Sequence, residues 1–221
     1  MLKTGQKMFY VMSAEKIKYL NDGQLRAFFS AVRGAPARTP AAKRRKKLDL
    51  ALLRLIYVLG LRQTEAVTIP TEALDLENGK IWIRRLKRRR PARPYPYDLD
   101  EATLTALKAW LKERAKTRWA KRGSEYLFPP VLKRSLLPHL SHDYVYRVFK
   151  KYSALAGLSG FSVHALRHSC AVALARDGYS AFALRDYLGH SNILSTMCYV
   201  ELCGQEREER SKAILQTLAN V

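Results

Sequence analysis

From residue 100 to residue 218 the chain is punctuated for helices almost without interruption. Ser141, Ser162 and Ser180 stand where N-caps belong, and Gly178 and Gly189 stand where helices stop. The spacing predicts helices over 101–121, 141–156, 163–177 and 180–188, then a charged amphipathic helix over 206–218. Only the first half is left for anything else. There Asn21 caps a predicted helix through Leu25, Phe28, Phe29 and Val32 to Gly34. Residues 35–42, with Pro36 and Pro40, read as a loop, and an apolar helix then runs to Leu59 with Gly60 at its end. Asn78-Gly79 is a strong turn signal, followed by a strand over 80–86. Pro94-Tyr95-Pro96-Tyr97 returns as an edge strand, because two prolines two residues apart lose ladder donors on one side only. The expected fold is mostly α with a small antiparallel β-sheet, an α+β class.

Charge narrows the partners. Forty Lys and Arg against nineteen Asp and Glu leave a formal +21, a surplus that repels itself and invites a polyanion. No run approaches the ~18–20 apolar residues of a spanning helix, and the first ten residues lack a signal-peptide apolar region. The membrane is excluded on that reading, and nucleic acid remains. Cys170, Cys198 and Cys203 are odd in number and lack zinc-ligand spacing, which fits free thiols in a reducing, cytoplasmic and nucleoid-associated setting.

Arg84, Arg85, Lys87, Arg88, Arg89, Arg90 and Arg93 crowd the hairpin, with no acid between Lys80 and Asp98, and are expected to bind phosphates. Lys43, Arg44, Arg45, Lys46 and Lys47 receive the same reading, since five cations at a helix start oppose the macrodipole. The face carrying Lys112, Arg114, Lys116, Arg118, Lys121 and Arg122 either tracks more backbone or is simply solvated.

Breaking a phosphodiester needs a nucleophile, charge stabilisation on the non-bridging oxygens and a proton for the leaving oxygen. Acids are scarce here, and Asp100 reads as a helix cap rather than a metal ligand. His164 and His168 are four apart, but Ala165 stands where a metalloprotease helix carries Glu. No Gly-rich loop ends in Lys-Ser or Lys-Thr. Neither metal nor nucleotide cofactor is expected. What remains is cationic and tyrosine-based. His164-Ala165-Leu166-Arg167-His168 puts His164 and Arg167 on one face of a helix N-terminus. Leu188-Gly189-His190 precedes Tyr199 by nine residues, and Gly60-Leu61-Arg62-Gln63-Thr64-Glu65 sets an arginine just past a helix end.

These segments, over residues 20–205, resemble the tyrosine recombinase (phage integrase) family. Arg85-Leu86-Lys87, Leu166-Arg167-His168-Ser169-Cys170 and Asp186-Tyr187-Leu188-Gly189-His190 are most similar to its short fimbrial-inversion group. The resemblance implies site-specific recombination of double-stranded DNA by inversion, excision or integration. Tyr199 is the implied nucleophile, in a cationic pocket favouring the phenolate. Arg62, Arg167 and His190 hold the phosphate, Lys87 protonates the leaving 5′-oxygen, and His164 moves the tyrosine proton. Glu65 braces Arg62, and His168 is read as structural. The implied organisation is a basic lead-in at 1–18, a catalytic domain at 19–205 and a C-terminal helix at 206–221, exchanged between subunits of a homotetramer on two DNA sites or packed on its own domain. Accessory proteins are a further expected partner. A topoisomerase-like relaxing activity and a non-cutting DNA-binding protein are the alternatives.

Overall fold

The computed structural model describes residues 17–86, 93–132 and 135–219, excluding the side chains of 205, 209, 210, 213, 215 and 217–219. Asn21 starts the first helix, α1 (Asp22–Gly34), with a full capping box: its side chain accepts from the Gln24 N–H, and the Gln24 side chain accepts from its own. Leu25, Phe28, Phe29 and Val32 form the buried face of α1, as their spacing requires. Next, α2 (Pro40–Val58) starts ahead of the cationic run, because Thr39 caps the Ala42 N–H and Pro40 is pre-set for the first turn. Its C-terminal half buries Leu48, Ala51, Leu52, Leu53, Leu55 and Ile56 at the centre of the main core. Short α3 (Gln63–Val67) follows the turn at Gly60.

The sheet is three-stranded and antiparallel, β1 (Leu74–Asp75), β2 (Lys80–Ile83) and β3 (Tyr95–Asp98), in the order β1-β2-β3. The ladder closes with Ile83 opposite Tyr95, so the strand expected over 80–86 is shorter, although burial still alternates through Arg85 and Leu86. As its prolines require, β3 lies at the edge.

Asp100 caps α4 (Glu101–Arg114). The helix expected over 101–121 is broken in two: Arg114 reaches the carbonyls of Ser124 and Tyr126, and Thr117 caps a separate α5 (Arg118–Lys121). Ser141 caps α6 (His142–Leu155), and α7 (His164–Arg176) packs against α2. Ser162 is not the cap expected of it; Val163 holds that position with no side-chain bond. Ser180 caps α8 (Ala181–Leu188), which Gly189 ends in the left-handed conformation.

The last helix, α9 (Leu194–Ala219), is continuous over 26 residues, so the tail expected as a separate helix is its second half. Cys198, Tyr199 and Cys203 on α9 join Ala171, Val172 and Ala175 of α7, Leu184 and Leu188 of α8, and Ile17 in a second core. At Glu206 the carboxylate accepts from the Tyr19 hydroxyl at 3.0 Å and from Arg176 at 2.8 and 2.9 Å. Beyond it Glu208, Ser211, Lys212, Ile214 and Gln216 are exposed. Among the described residues no helix is long and apolar enough to cross a membrane.

Candidate active site

Three arginines meet at the ends of two helices. A helix C-terminus leaves carbonyls that no later turn satisfies. At the ends of α2 and α8 these are taken up by guanidinium groups. Arg85 donates to the carbonyls of Leu59 at 2.7 Å and Tyr187 at 2.6 Å. Arg167 donates to Gly60 through Nη1 and to Leu188 through Nη2 at 2.9 Å. Arg62 donates to Gly189 at 3.2 Å. The negative ends of two helix dipoles thus face the positive cluster. Gly60 and Gly189 both have positive φ, 56° and 65°. A Cβ on Gly60 would sit 2.5 Å from Leu188 Cδ2, and one on Gly189 would sit 2.6 Å from Arg85, so neither turn has room for a side chain.

Glu65 sits between the three. It accepts from Arg62 Nη1 at 2.8 Å, from the Arg62 backbone N–H at 2.9 Å and from Arg85 Nη1 at 3.2 Å, with Arg167 Nη1 3.7 Å away. Burial pushes its carboxyl up, but Arg85, Arg62 and Arg167 outweigh burial and hold it below the ordinary glutamate range. The brace read from the sequence for Arg62 therefore extends to all three arginines.

Arg85 corrects the sequence reading. It is 4% exposed, its guanidinium lies 4.9 Å from the centre of the Tyr97 ring, and its donors go to Glu65, Tyr97 and two carbonyls. It supports the site from beneath and is not placed to bind DNA. Alternation along the strand sends Arg85 inward and Arg84 outward.

Above this base, Arg62, His164, Arg167, His168, His190 and Tyr199 line one cavity of about 510 Å³, with Gln63, Thr64, His142 and Ser195. Four of the five histidines in the chain are in that lining, which no solvated basic face would require. The first turns of α7 supply His164, Arg167 and His168, the turn after α8 supplies His190, and α9 supplies Tyr199. The structure thus brings together Arg62, His164, Arg167, His190 and Tyr199; Lys87 falls outside the described residues.

Tyr199 is 2% exposed, with its hydroxyl 2.7 Å from His168 Nδ1. Burial, then Cys198, raises its pKa by more than Arg167 and Arg62 lower it. Arg167 and Arg62 pull toward the phenolate, as expected of a cationic pocket, but desolvation outweighs them. Burial, then Arg62, pushes Arg167 down to about 10. His190 Nδ1 lies 2.9 Å from the Thr196 hydroxyl, and burial, then Arg167 and Arg62, pushes His190 down to about 3. His168 is pushed down to about 4 by burial, then by His164 and Arg167. Both imidazoles are neutral at pH 7.

The sequence reading missed His168 as a partner of Tyr199 and Thr196 as a partner of His190. The signal for His168 was its place one turn after His164, on the same helix face.

The basic runs divide. Lys46 donates to the carbonyls of Arg33 and Ala35, both at 3.0 Å, and so closes the end of α1. Lys47 and Arg44 pair with Glu113 at 2.7 and 3.7 Å. These three therefore already have partners within the fold, which corrects the argument that helix stability gives no reason for the run. Lys43 and Arg45 are exposed, as are Arg84 and Arg93. Arg88, Arg89 and Arg90 fall outside the described residues. Arg114, one of the cations on the 112–122 face, is 8% exposed and held by backbone carbonyls.

Residues 18–206 match the sequence profile described as the phage integrase family. The type 1 fimbriae regulatory protein FimE of Escherichia coli K12 is 34% identical over 152 residues, covering 68% of this chain and 73% of that protein. FimB of the same strain is also 34% identical, over 68% of this chain and 72% of its own length. Among solved structures, the XerH site-specific recombinase in its post-cleavage complex with palindromic difH substrate superposes with a TM-score of 0.71 at 24% identity, covering 89% of this chain and 53% of that one. XerA recombinase gives 0.67 at 18% identity, over 87% and 65%. At such identity the likeness is one of fold, and the chain spans about half the length of the XerH chain.

Proposed function

Because the chain belongs to the phage integrase family of tyrosine recombinases, we propose that it recombines double-stranded DNA at specific sites through a covalent bond to Tyr199, with no metal or nucleotide cofactor. One observation carries this reading: a tyrosine hydroxyl shares a cavity with two arginines and four histidines, over a base that fixes both arginines. Arg62 and Arg167 grip the non-bridging oxygens of the scissile phosphate. Arg167 spends one N–H of each terminal nitrogen on Gly60 and Leu188, and each nitrogen has a second to offer. His190, with Nδ1 paired to the Thr196 hydroxyl, carries its proton on Nε2 and donates that N–H as a hydrogen bond to the same phosphate. Tyr199 attacks phosphorus to leave a 3′-phosphotyrosyl link and a free 5′-hydroxyl. Lys87 protonates that oxygen, and His164 assists the transfer of the tyrosine proton. The link conserves the energy of the broken bond, so strands rejoin without an external source.

Lys43, Arg45, Arg84 and Arg93, with Lys87, Arg88, Arg89 and Arg90, form the phosphate track. XerH in the matching structures holds a difH substrate, which supports duplex DNA as the partner here. We place the protein in the cytoplasm, on the nucleoid, in keeping with three buried free thiols. Two DNA sites are brought together by a homotetramer, in which the half of α9 beyond Glu206 docks on a neighbouring subunit, and accessory proteins are further partners. The exposure of that half's described side chains, Arg207, Glu208, Ser211, Lys212, Ile214 and Gln216, favours recombination over topoisomerase-like relaxation, which needs no second subunit.

A nicked suicide duplex carrying the target site, run on a denaturing gel with EDTA, tests the chemistry. Wild-type protein gives a covalent band, and Tyr199→Phe gives none while still binding DNA. A band from Tyr199→Phe would show that another residue is the nucleophile.

A further inference from the structure

We propose that His168 is the group that takes the proton from Tyr199 as the bond to phosphorus forms, an assignment that rests on Tyr199 being the nucleophile. The two groups are already 2.7 Å apart, His168 Nδ1 to the tyrosine hydroxyl. Tyr199 is 2% exposed, and His168 Nδ1 is the hydrogen-bond partner that the structure gives its hydroxyl. The arginines around it carry donors and no acceptor. Glu65, the buried carboxylate of the site, is occupied by Arg62 and Arg85.

The surroundings keep the imidazole ready to accept. His164 and Arg167 face it from its own helix, while Arg62 from the start of α3, His142 from α6, His190 after α8 and Tyr199 from α9 line the same cavity. Burial and the neighbouring positive charge hold His168 neutral, down to about 4. A phosphate entering among these cations brings a negative charge, which raises the basicity of the ring at the moment the proton must move. With Nδ1 as acceptor, the resident proton of the ring is on Nε2.

The step balances. The Oη–H bond of Tyr199 breaks and the proton passes to His168 Nδ1. The electron pair left on Oη forms the Oη–P bond while the P–O5′ bond breaks. The 5′-oxygen leaves with its pair and takes a proton from its own acid, Lys87 in the reading above. On rejoining, the 5′-hydroxyl attacks, its proton returns to that acid, and His168 gives its proton back to the departing phenolate.

The test is single-turnover cleavage of a saturating suicide duplex between pH 6.5 and 9.5. His168→Asn keeps an acceptor near the Nδ1 position but cannot hold a proton. Its rate at pH 7 is expected to fall by about 10²–10⁴-fold, the usual worth of a general base. That rate should then climb about tenfold per pH unit toward wild type, whose profile is flatter, as hydroxide does the work of the missing base. Melting curves and gel shifts confirm folding and DNA binding, and His168→Gln serves if His168→Asn does not fold. A wild-type rate and profile in the variant overturns the assignment, as does a loss that pH does not restore. If wild-type protein forms no adduct that depends on Tyr199, the nucleophile reading fails and this assignment fails with it. If the adduct forms and the variant matches wild type, only the role of His168 is wrong.

Discussion

Glu65→Gln changes one atom of a buried carboxylate and leaves three guanidinium groups to share a neutral amide. In the wild type those groups lie 2.8, 3.2 and 3.7 Å from the carboxylate, and the Arg62 N–H lies 2.9 Å from it. Glu65 is 3% exposed and Arg85 4%, so water cannot replace the lost charge. Removing one partner of a buried ion pair costs about 3–5 kcal/mol. For a domain of this size that is a fall in Tm of roughly 6–20 °C. The dependence on pH separates charge from shape. The folded-state pKa of Glu65 lies below its ordinary value of 4.5, so its contribution is complete above that value and is lost as pH falls through the folded value. The gap between wild type and variant should therefore be constant from pH 8 to 5.5 and narrow only below about 4.5. Urea unfolding followed by circular dichroism across that range measures it. A gap under about 1 kcal/mol at pH 7, or one already narrowing at pH 6, would refute the view that Glu65 neutralises the cluster.

Gly189→Ala forces a left-handed alanine, at about 1–2 kcal/mol, and brings a methyl to 2.6 Å from Arg85. Thermal unfolding should show a loss above that range, with cleavage falling further as Arg62 loses its carbonyl partner. DNA affinity should drop roughly 10³–10⁵-fold between 50 and 200 mM salt if six to ten phosphates are contacted. Lys43→Ala with Arg45→Ala should flatten the log–log salt slope by about two phosphates, while Lys46→Ala should leave the slope alone and lower stability by about 1 kcal/mol, read by salt-dependent gel shifts and melting curves.

How legible the molecule was depended on whether a feature is local. Asn21, Asp100, Ser141 and Ser180 act within three residues of themselves, and each caps the helix expected of it. The tyrosine, the arginines and two histidines were marked by their spacing. What sequence spacing could not show was which cation meets which anion. Seven cations crowd the hairpin, and only the packed fold shows that Arg85 turns inward to Glu65, twenty positions earlier in the chain. Lys46 is similar, since its acceptors are the final carbonyls of another helix. The unity of α9 was hidden by Gly204 and the dense charge after it, which break the apolar pattern without breaking the helix.

That continuity has a mechanical side. At ~1.5 Å per residue, Tyr199 lies about 10 Å from Glu206 along α9, and Ala219 lies about 20 Å away in the other direction. Tyr19 and Arg176 grip the rod at Glu206, while Cys198, Tyr199 and Cys203 clamp its inner end in the second core. Tyr199 and the stretch beyond Glu206 thus ride on one unbroken rod, and the position of the tyrosine at the cavity is set by side chains buried along the inner arm.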